Sequence, residues 1–147
     1  MKNIAKVRVT YAETDAMAVV YHTNYIKWFE YGRAELLRAI GVVYADLAKQ
    51  DFHLPLTEVH CYYLAPARYD QILLVETEIE YIRRASIKFL STIWDEKKET
   101  IYVEGYTVHA CTNGQGKVVR LPLDAVERIK PHSKAVSGGG VIHGGKT

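Results

Sequence analysis

No stretch of this 147-residue chain approaches the ~20 consecutive apolar residues of a membrane span. The opening "MKNIAKVRVTY" alternates instead of forming the apolar core of a secretory leader, so no integral membrane segment and no export are expected. Cysteine is scarce. Cys61 and Cys111 stand far apart, neither in a C-x-x-C, and both fall in segments that read as strands, which makes them reduced core thiols. An excess of one charge is missing too: 19 basic and 17 acidic residues are interspersed and leave +2. With no basic run and no glycine–aromatic pattern, nothing points to nucleic acid. What these absences leave is a soluble cytoplasmic protein of one domain. A chain of this length can bury ~70% of its unfolded surface and needs no disulfide or metal to fold.

What is present is period. Val7, Val9 and Tyr11 alternate with polar residues and read as a first strand. From Asn24 the step changes: Tyr25, Phe29, Gly32, Leu36 and Ile40 recur every three or four residues, the stripe of an amphipathic helix. Thr23 or Asn24 can cap it and Gly41 can stop it. Ile26, Leu37 and Trp28 widen the apolar surface, so the helix is expected to be embraced by its neighbours. Gly32 in mid-helix points to a close approach. "VVYADLAK" reads as a short helical turn. Strands are then expected at 56–65, in "ILLVETEIEYI", in "SIKFLSTIW" and in "TIYVEGYTVHACT", where Gly105 marks a bulge or close contact. "NGQG" reads as a hairpin turn before a short strand "KVVRLP", and "LDAVERIK" as a closing helical turn. Successive strands with short links imply an antiparallel sheet covered by one helix, an α+β domain over residues 1–131. The segment 132–147 holds five of the ten glycines and reads as a flexible tail.

The unusual segment is Tyr11 to Arg33. Asp15 is followed by the apolar Met17 to Val20, and His22 stands where helical spacing begins. Singly these residues have ordinary explanations: an Asp bonding nearby amides, a half-buried histidine, a strand tyrosine. Together they place a carboxylate beside the free N–H groups of a helix's first turn, which carry about half a positive charge. Such amides suit the oxyanion formed when an ester or thioester carbonyl is attacked, with the carboxylate as nucleophile or base. The apolar loop between them is expected to exclude water and accept an acyl chain.

The stretch "YAETDAMAVVYHTNYIKWFEYGRAELLRAIG" resembles the signature of hotdog-fold acyl-CoA thioesterases, the 4-hydroxybenzoyl-CoA thioesterase-like superfamily, and most of all the bacterial type associated with the Tol–Pal system. "PARYD", "YIRRASIKF" and "RLP" resemble later segments of the same family, and the likeness runs from about residue 5 to 130. It implies a five- or six-stranded antiparallel sheet wrapped around the long helix. It also implies a homo-oligomer, dimer or tetramer, with active sites at the subunit interface, no cofactor and no metal. Asp15 matches the family's catalytic carboxylate, His22 the residue at the helix N-terminus, and Tyr11 an assisting tyrosine. Tyr21, Tyr25, Ala18 and Val20 then line the substrate site, with Trp28 near it. Arg83, Arg84, Lys117 and Arg120 are the cations to meet the phosphates of coenzyme A, while Arg68 pairs with Asp70 or Glu30. Ala18 departs from the family's glycine and implies either an ordinary backbone there or modest strain. The substrate implied is a short- to medium-chain or aromatic acyl-CoA, with acyl carrier protein as another thiol partner.

Three other readings are weaker. "FHLP" at 52–55 bears a faint likeness to the histidine element of hotdog hydratases, without the glycine pattern around it. A non-catalytic acyl-CoA sensor would want an effector module that the chain has little room for. A metal site on Asp15 and His22 lacks further ligands at suitable spacing.

Overall fold

In the computed structural model, which describes residues 1–134, the alternating segments form five strands and the helical-period segment one long helix. The strands are β1 (Lys2–Arg8), β2 (Leu56–Tyr63), β3 (Ile72–Ile82), β4 (Ser86–Asp95) and β5 (Ile101–Ala110). All pair antiparallel in the order β1-β3-β4-β5-β2, which leaves β1 and β2 as the edges. Helix α1 (Thr23–Ala39) lies on one face, and the short α2 (Tyr44–Lys49) and α3 (Leu123–Ile129) pack beside its C-terminal half. This is the expected hotdog arrangement at five strands. The sixth does not form: in place of a strand, "KVVRLP" makes an isolated bridge, Thr112 with Val118, and single backbone bonds to Cys111 and Arg84. Packing continues to Lys134, whose N–H donates to Ile79 O at 2.9 Å. The rest of the expected glycine-rich tail lies outside the described residues. No disulfide joins Cys61 and Cys111. Among the described residues no helix is long and apolar enough to cross a membrane.

The two periods meet along α1. Its buried residues are Tyr25, Trp28, Phe29, Gly32, Arg33, Leu36 and Leu37. Facing them at period two are Leu73, Val75, Thr77 and Ile79 of β3, with Ile87, Phe89 and Ile93 of β4, all with no exposure. Near the start of α1 the core is Val9, Val20, Leu73 and Ile93; toward its end it is Ile79, Ile87, Phe89 and Ile129. Gly32 sits at the crossing with β3. A Cβ there would stand 2.5 Å from Thr77 Oγ1 and 2.7 Å from Val75 Cγ1, so the approach is to side chains. The Thr77 hydroxyl, fully buried, has no hydrogen-bond partner among the described residues. Gly105 makes a second close approach, its would-be Cβ 2.1 Å from His60 O. Gly41, at φ +89°, ends α1 as expected.

One buried ionisable group was not anticipated. His109 on β5 is 1% exposed, with Nδ1 3.0 Å from Leu54 O and Nε2 3.0 Å from Thr107 Oγ1. A carbonyl can only accept, so Nδ1 carries the proton and Nε2 accepts from the threonine. Burial, with the Arg33 guanidinium nearby, pushes its pKa down to about 4. The group therefore stabilises the fold fully above its ordinary pKa and loses that contribution as pH falls toward 4, where only the unfolded chain takes up the proton.

Two outcomes follow from this packing. Gly32→Ala destabilises by about 1–2 kcal/mol in urea unfolding, the overpacking outweighing the gain in helix propensity, and Thr77→Ala in the same chain recovers part of the loss. Unfolding free energy falls by about 3 kcal/mol between pH 7 and pH 4 through His109 alone. Subtracting the profile of His109→Asn, which keeps a donor toward Leu54 O, isolates that share.

Candidate active site

β1 stops short of Tyr11. The chain turns at Tyr11–Glu13 in a single 3-10 turn, held by Glu13, whose Oε1 accepts the Thr10 N–H at 2.7 Å while Oε2 pairs with Lys27 on α1. Tyr11 is thereby placed outside, 78% exposed, its ring edge-on to Tyr69 at 5.7 Å. This corrects the expectation that it ends a strand. Its hydroxyl has no hydrogen bond to Asp15 or His22. The Thr10-x-x-Glu13 spacing is a capping-box signature, a signal in the sequence that was passed over.

Residues 14–20 form a small hairpin. Thr14 pairs with Val20, the Asp15 N–H donates to Val19 O at 2.9 Å, and the Ala18 N–H donates to Asp15 O at 3.0 Å. Asp15 Oδ1 accepts the Met17 N–H at 2.8 Å and the Val19 N–H at 3.4 Å. Oδ2 takes no partner among the described residues. One oxygen holds the turn and the other is offered outward. Ala18 adopts φ +65°, the left-handed region, so the strained alternative holds at the family's glycine position. The loop is not a wall within one chain: Asp15, Ala16, Met17 and Ala18 are exposed and only Val20 turns inward.

At the start of α1 neither Thr23 nor Asn24 caps the helix. The Asn24 side chain instead donates to Glu13 O at 2.9 Å, tying the 3-10 turn to the helix. The Asn24 and Tyr25 amides are taken by Tyr21 O and His22 O, at 3.0 and 3.2 Å. The amides of His22 and Thr23 have no backbone acceptor among the described residues, and these are the two donors available to an oxyanion. His22 borders an open cleft of about 310 Å³, lined also by Val20, Tyr25, Tyr63, Ala65 and Pro66. The His22 ring lies 4.6 Å from that of Tyr21, which is half exposed and, like Ala18, does not line the cleft. Tyr25 is buried and its hydroxyl accepts the Ala67 N–H at 3.2 Å, so it fixes the "PARYD" loop with burial raising its pKa. Val20 N–H reaches Ala67 O at 2.9 Å from the other side. Trp28 stacks edge-on behind Tyr25 at 5.6 Å. Burial and the Cys61 thiol push the Tyr63 phenol up to about 12, a neutral group at any working pH.

The single chain does not bring the expected phosphate cations to this cleft. Arg83 and Arg84 follow β3, Lys117 and Arg120 follow the 113–116 turn, and Leu121 N–H meets Arg84 O at 2.9 Å. All four belong to the end of the sheet beside the C-terminal half of α1, a helix of 17 residues and so about 25 Å long. Arg83 lies over the Tyr81 ring at 3.9 Å. Asp70 pairs with Arg8, at 3.2 Å, and not with Arg68. His53 of the "FHLP" segment binds Asp51 at 3.2 Å beside the same remote turn, which leaves the hydratase reading without a site. Among the described residues no three His, Cys, Asp or Glu gather to hold a metal.

Residues 9–130 match the thioesterase-like superfamily. A putative esterase of Aquifex aeolicus is 32% identical over 130 residues, which cover 88% of this chain and 99% of that protein. The acyl-CoA thioester hydrolase YbgC of Escherichia coli is 37% identical over 127 residues, covering 86% and 88%. Among solved structures, the DHNA-CoA thioesterase of Staphylococcus aureus superposes with a TM-score of 0.78 at 31% identity, covering 88% of this chain and 84% of that one.

The left-handed alanine gives a direct stability test. Ala18→Gly relieves the Cβ penalty at φ +65° and gives part of it back as chain entropy, a net gain of about 0.5–1 kcal/mol. A thermal midpoint raised by about 2–4 °C is the expected reading.

Proposed function

The chain belongs to the thioesterase-like superfamily, and from that premise we propose that it hydrolyses an acyl-CoA thioester to the free acid and coenzyme A. One observation carries the reading: His22, whose amide is unspent like that of Thr23, borders the apolar cleft, and the 14–20 hairpin that bears the unpartnered Asp15 oxygen sends Val20 into the same cleft. In the reaction the thioester carbonyl oxygen lies on the His22 and Thr23 amides, which stabilise the negative charge as the carbon becomes tetrahedral. Asp15 Oδ2 serves as base, taking a proton from the attacking water and returning it to solvent, or attacks the carbon itself to give an acyl–aspartyl anhydride that water then cleaves to the free acid and the restored carboxylate. The C–S bond then breaks and the thiolate leaves, protonated from solvent. The His22 ring orients water at the mouth, and the acyl group lies against Val20 and Tyr25. Tyr11, exposed and edge-on to Tyr69, would support the reaction only from outside the cleft. The names of the Escherichia coli and Staphylococcus aureus proteins support coenzyme A thioesters as the substrate class. An open cleft of this size suits a short- to medium-chain or an aromatic acyl group.

The proposal includes a second copy of the chain. β2 is an edge strand with Leu56, Val59, Tyr62 and Tyr63 exposed, an open row of backbone donors and acceptors with apolar side chains on both faces. Pairing of β2 with its own copy would continue the sheet, cover the cleft along Tyr63 to Pro66, and carry the partner's basic end toward the site. The working compartment is taken to be the cytoplasm, in keeping with two free thiols.

Asp15→Asn keeps an oxygen for the Met17 and Val19 amides and removes the reactive carboxylate. It should lower kcat for thiol release from acyl-CoAs by about two orders of magnitude or more with an unchanged thermal midpoint. Near wild-type turnover in that variant would overturn the assignment. His22→Ala should cost less, because the backbone donor remains. Acyl carrier protein thioesters in the same assay identify the thiol partner.

A further inference from the structure

Asp15 and Arg68 face the same way. Thr14 bridges Val20 and Val19 bridges Arg68, so residues 14–15, 19–20 and 67–68 run side by side as three short ribbons. Val20 and Ala67 point into the core, at 6% and 0% exposure. Side chains alternate along extended backbone, so their neighbours Asp15, Val19 and Arg68 point outward in a row. Two ribbon spacings put the backbones of Asp15 and Arg68 about 10 Å apart. The position of Arg68 is fixed: Ala67 is bonded on both sides, and the Arg68 N–H donates to Gln71 Oε1 at 2.6 Å.

Its charge has nothing to do in the single chain. Asp70 is taken by Arg8 at 3.2 Å and Glu13, just before the hairpin, by Lys27, while Asp15 in the same row spends one oxygen on the Met17 and Val19 amides and makes no ion pair with Arg68. The exposed Arg68 guanidinium has no ion pair or hydrogen bond among the described residues. Beside it stands Tyr69, half exposed, with Tyr11 edge-on. A rigidly based guanidinium without a carboxylate is suited to a phosphate, which it can bind with two parallel N–H donors. It stands outside the apolar cleft, where the carrier end of a thioester would emerge while the acyl end goes inward.

We infer that Arg68, missed by the sequence reading as a ligand residue, binds the phosphate-bearing arm of the thiol carrier. The inference rests on the thioesterase reading for the identity of that arm. Phosphate is shared by coenzyme A and by a phosphopantetheine group on a carrier protein. The exposed Tyr69 and Tyr11 rings add a stacking surface that only the adenine of coenzyme A would use.

The test is direct titration of wild type and Arg68→Gln with coenzyme A, 4′-phosphopantetheine and pantetheine, beside hydrolysis of the matching acyl thioesters. Arg68→Gln should weaken coenzyme A and 4′-phosphopantetheine about tenfold and leave pantetheine unchanged, with the loss in KM, not kcat, and partial recovery in Arg68→Lys. Coenzyme A binding more tightly than 4′-phosphopantetheine, with the difference lost in Tyr69→Ala, assigns the adenine surface; equal binding assigns the phosphate alone. An equal loss on pantetheine, a fall in kcat with a shifted pH profile, or no change on any ligand overturns the inference. Arg68-dependent binding without hydrolysis of any thioester would sustain it and sink the thioesterase reading.

Discussion

A helix lies this close to a sheet only where it has no side chain at the crossing, and Gly32 is that place. Thr77 and Val75 occupy the volume that any β-carbon there would need. The depth of α1 follows from this contact, and with it the burial of Tyr25, Phe29 and Leu36 against β3 and β4. The unpartnered Thr77 hydroxyl shows what the closeness costs: the threonine fits the space and gives up a hydrogen bond. Because α1 is pinned at its middle, its first turn projects to the end of the sheet where Val9, Val20 and Ala67 meet. The chemistry proposed for this protein depends on that projection.

The chain then fastens the loop to the helix instead of capping it. Glu13 holds Thr10 and Lys27 by its carboxylate and Asn24 and Tyr21 by its carbonyl. Tyr25 and Val20 grip Ala67 from two sides. A capping side chain would have consumed first-turn donors. Here the turn is wound tightly enough that two amides satisfy themselves and two are left over, so rigidity comes from neighbours and the donors stay free.

The fold was legible wherever period decided it. Leu73 to Ile79 and Tyr25 to Leu37 could hardly be read otherwise, since one slip would turn a whole face outward. Asp15 and His22 stood out because acid, apolar run and histidine have no common structural reason to adjoin. Tyr11 looks like a strand residue because alternation does not reveal where a strand ends; β1 closes at Arg8, three residues before it, and Glu13 holds Tyr11 in the turn that follows. Neither acid expected for Arg68 pairs with it: Asp70 takes φ +71° and turns to Arg8, and Glu30 makes no ion pair with it among the described residues. The expectation for Arg83, Arg84, Lys117 and Arg120 rests on their place along the chain, and only the strand order reveals which end of the sheet they occupy. His109 was invisible because a buried histidine and an exposed one look the same on a strand that alternates either way.

β2 carries a further consequence. An uncovered edge with apolar residues on both faces recruits any extended segment it meets, folded or nascent. It has no proline, no bulge at its centre and no inward-pointing lysine to repel a stranger. Whatever covers this strand therefore acts as a guard against misassembly during and after synthesis. The pairing proposed for β2 would then do more than complete a site: the second copy would keep other strands off the edge, a kinetic demand placed on assembly by the geometry of one strand.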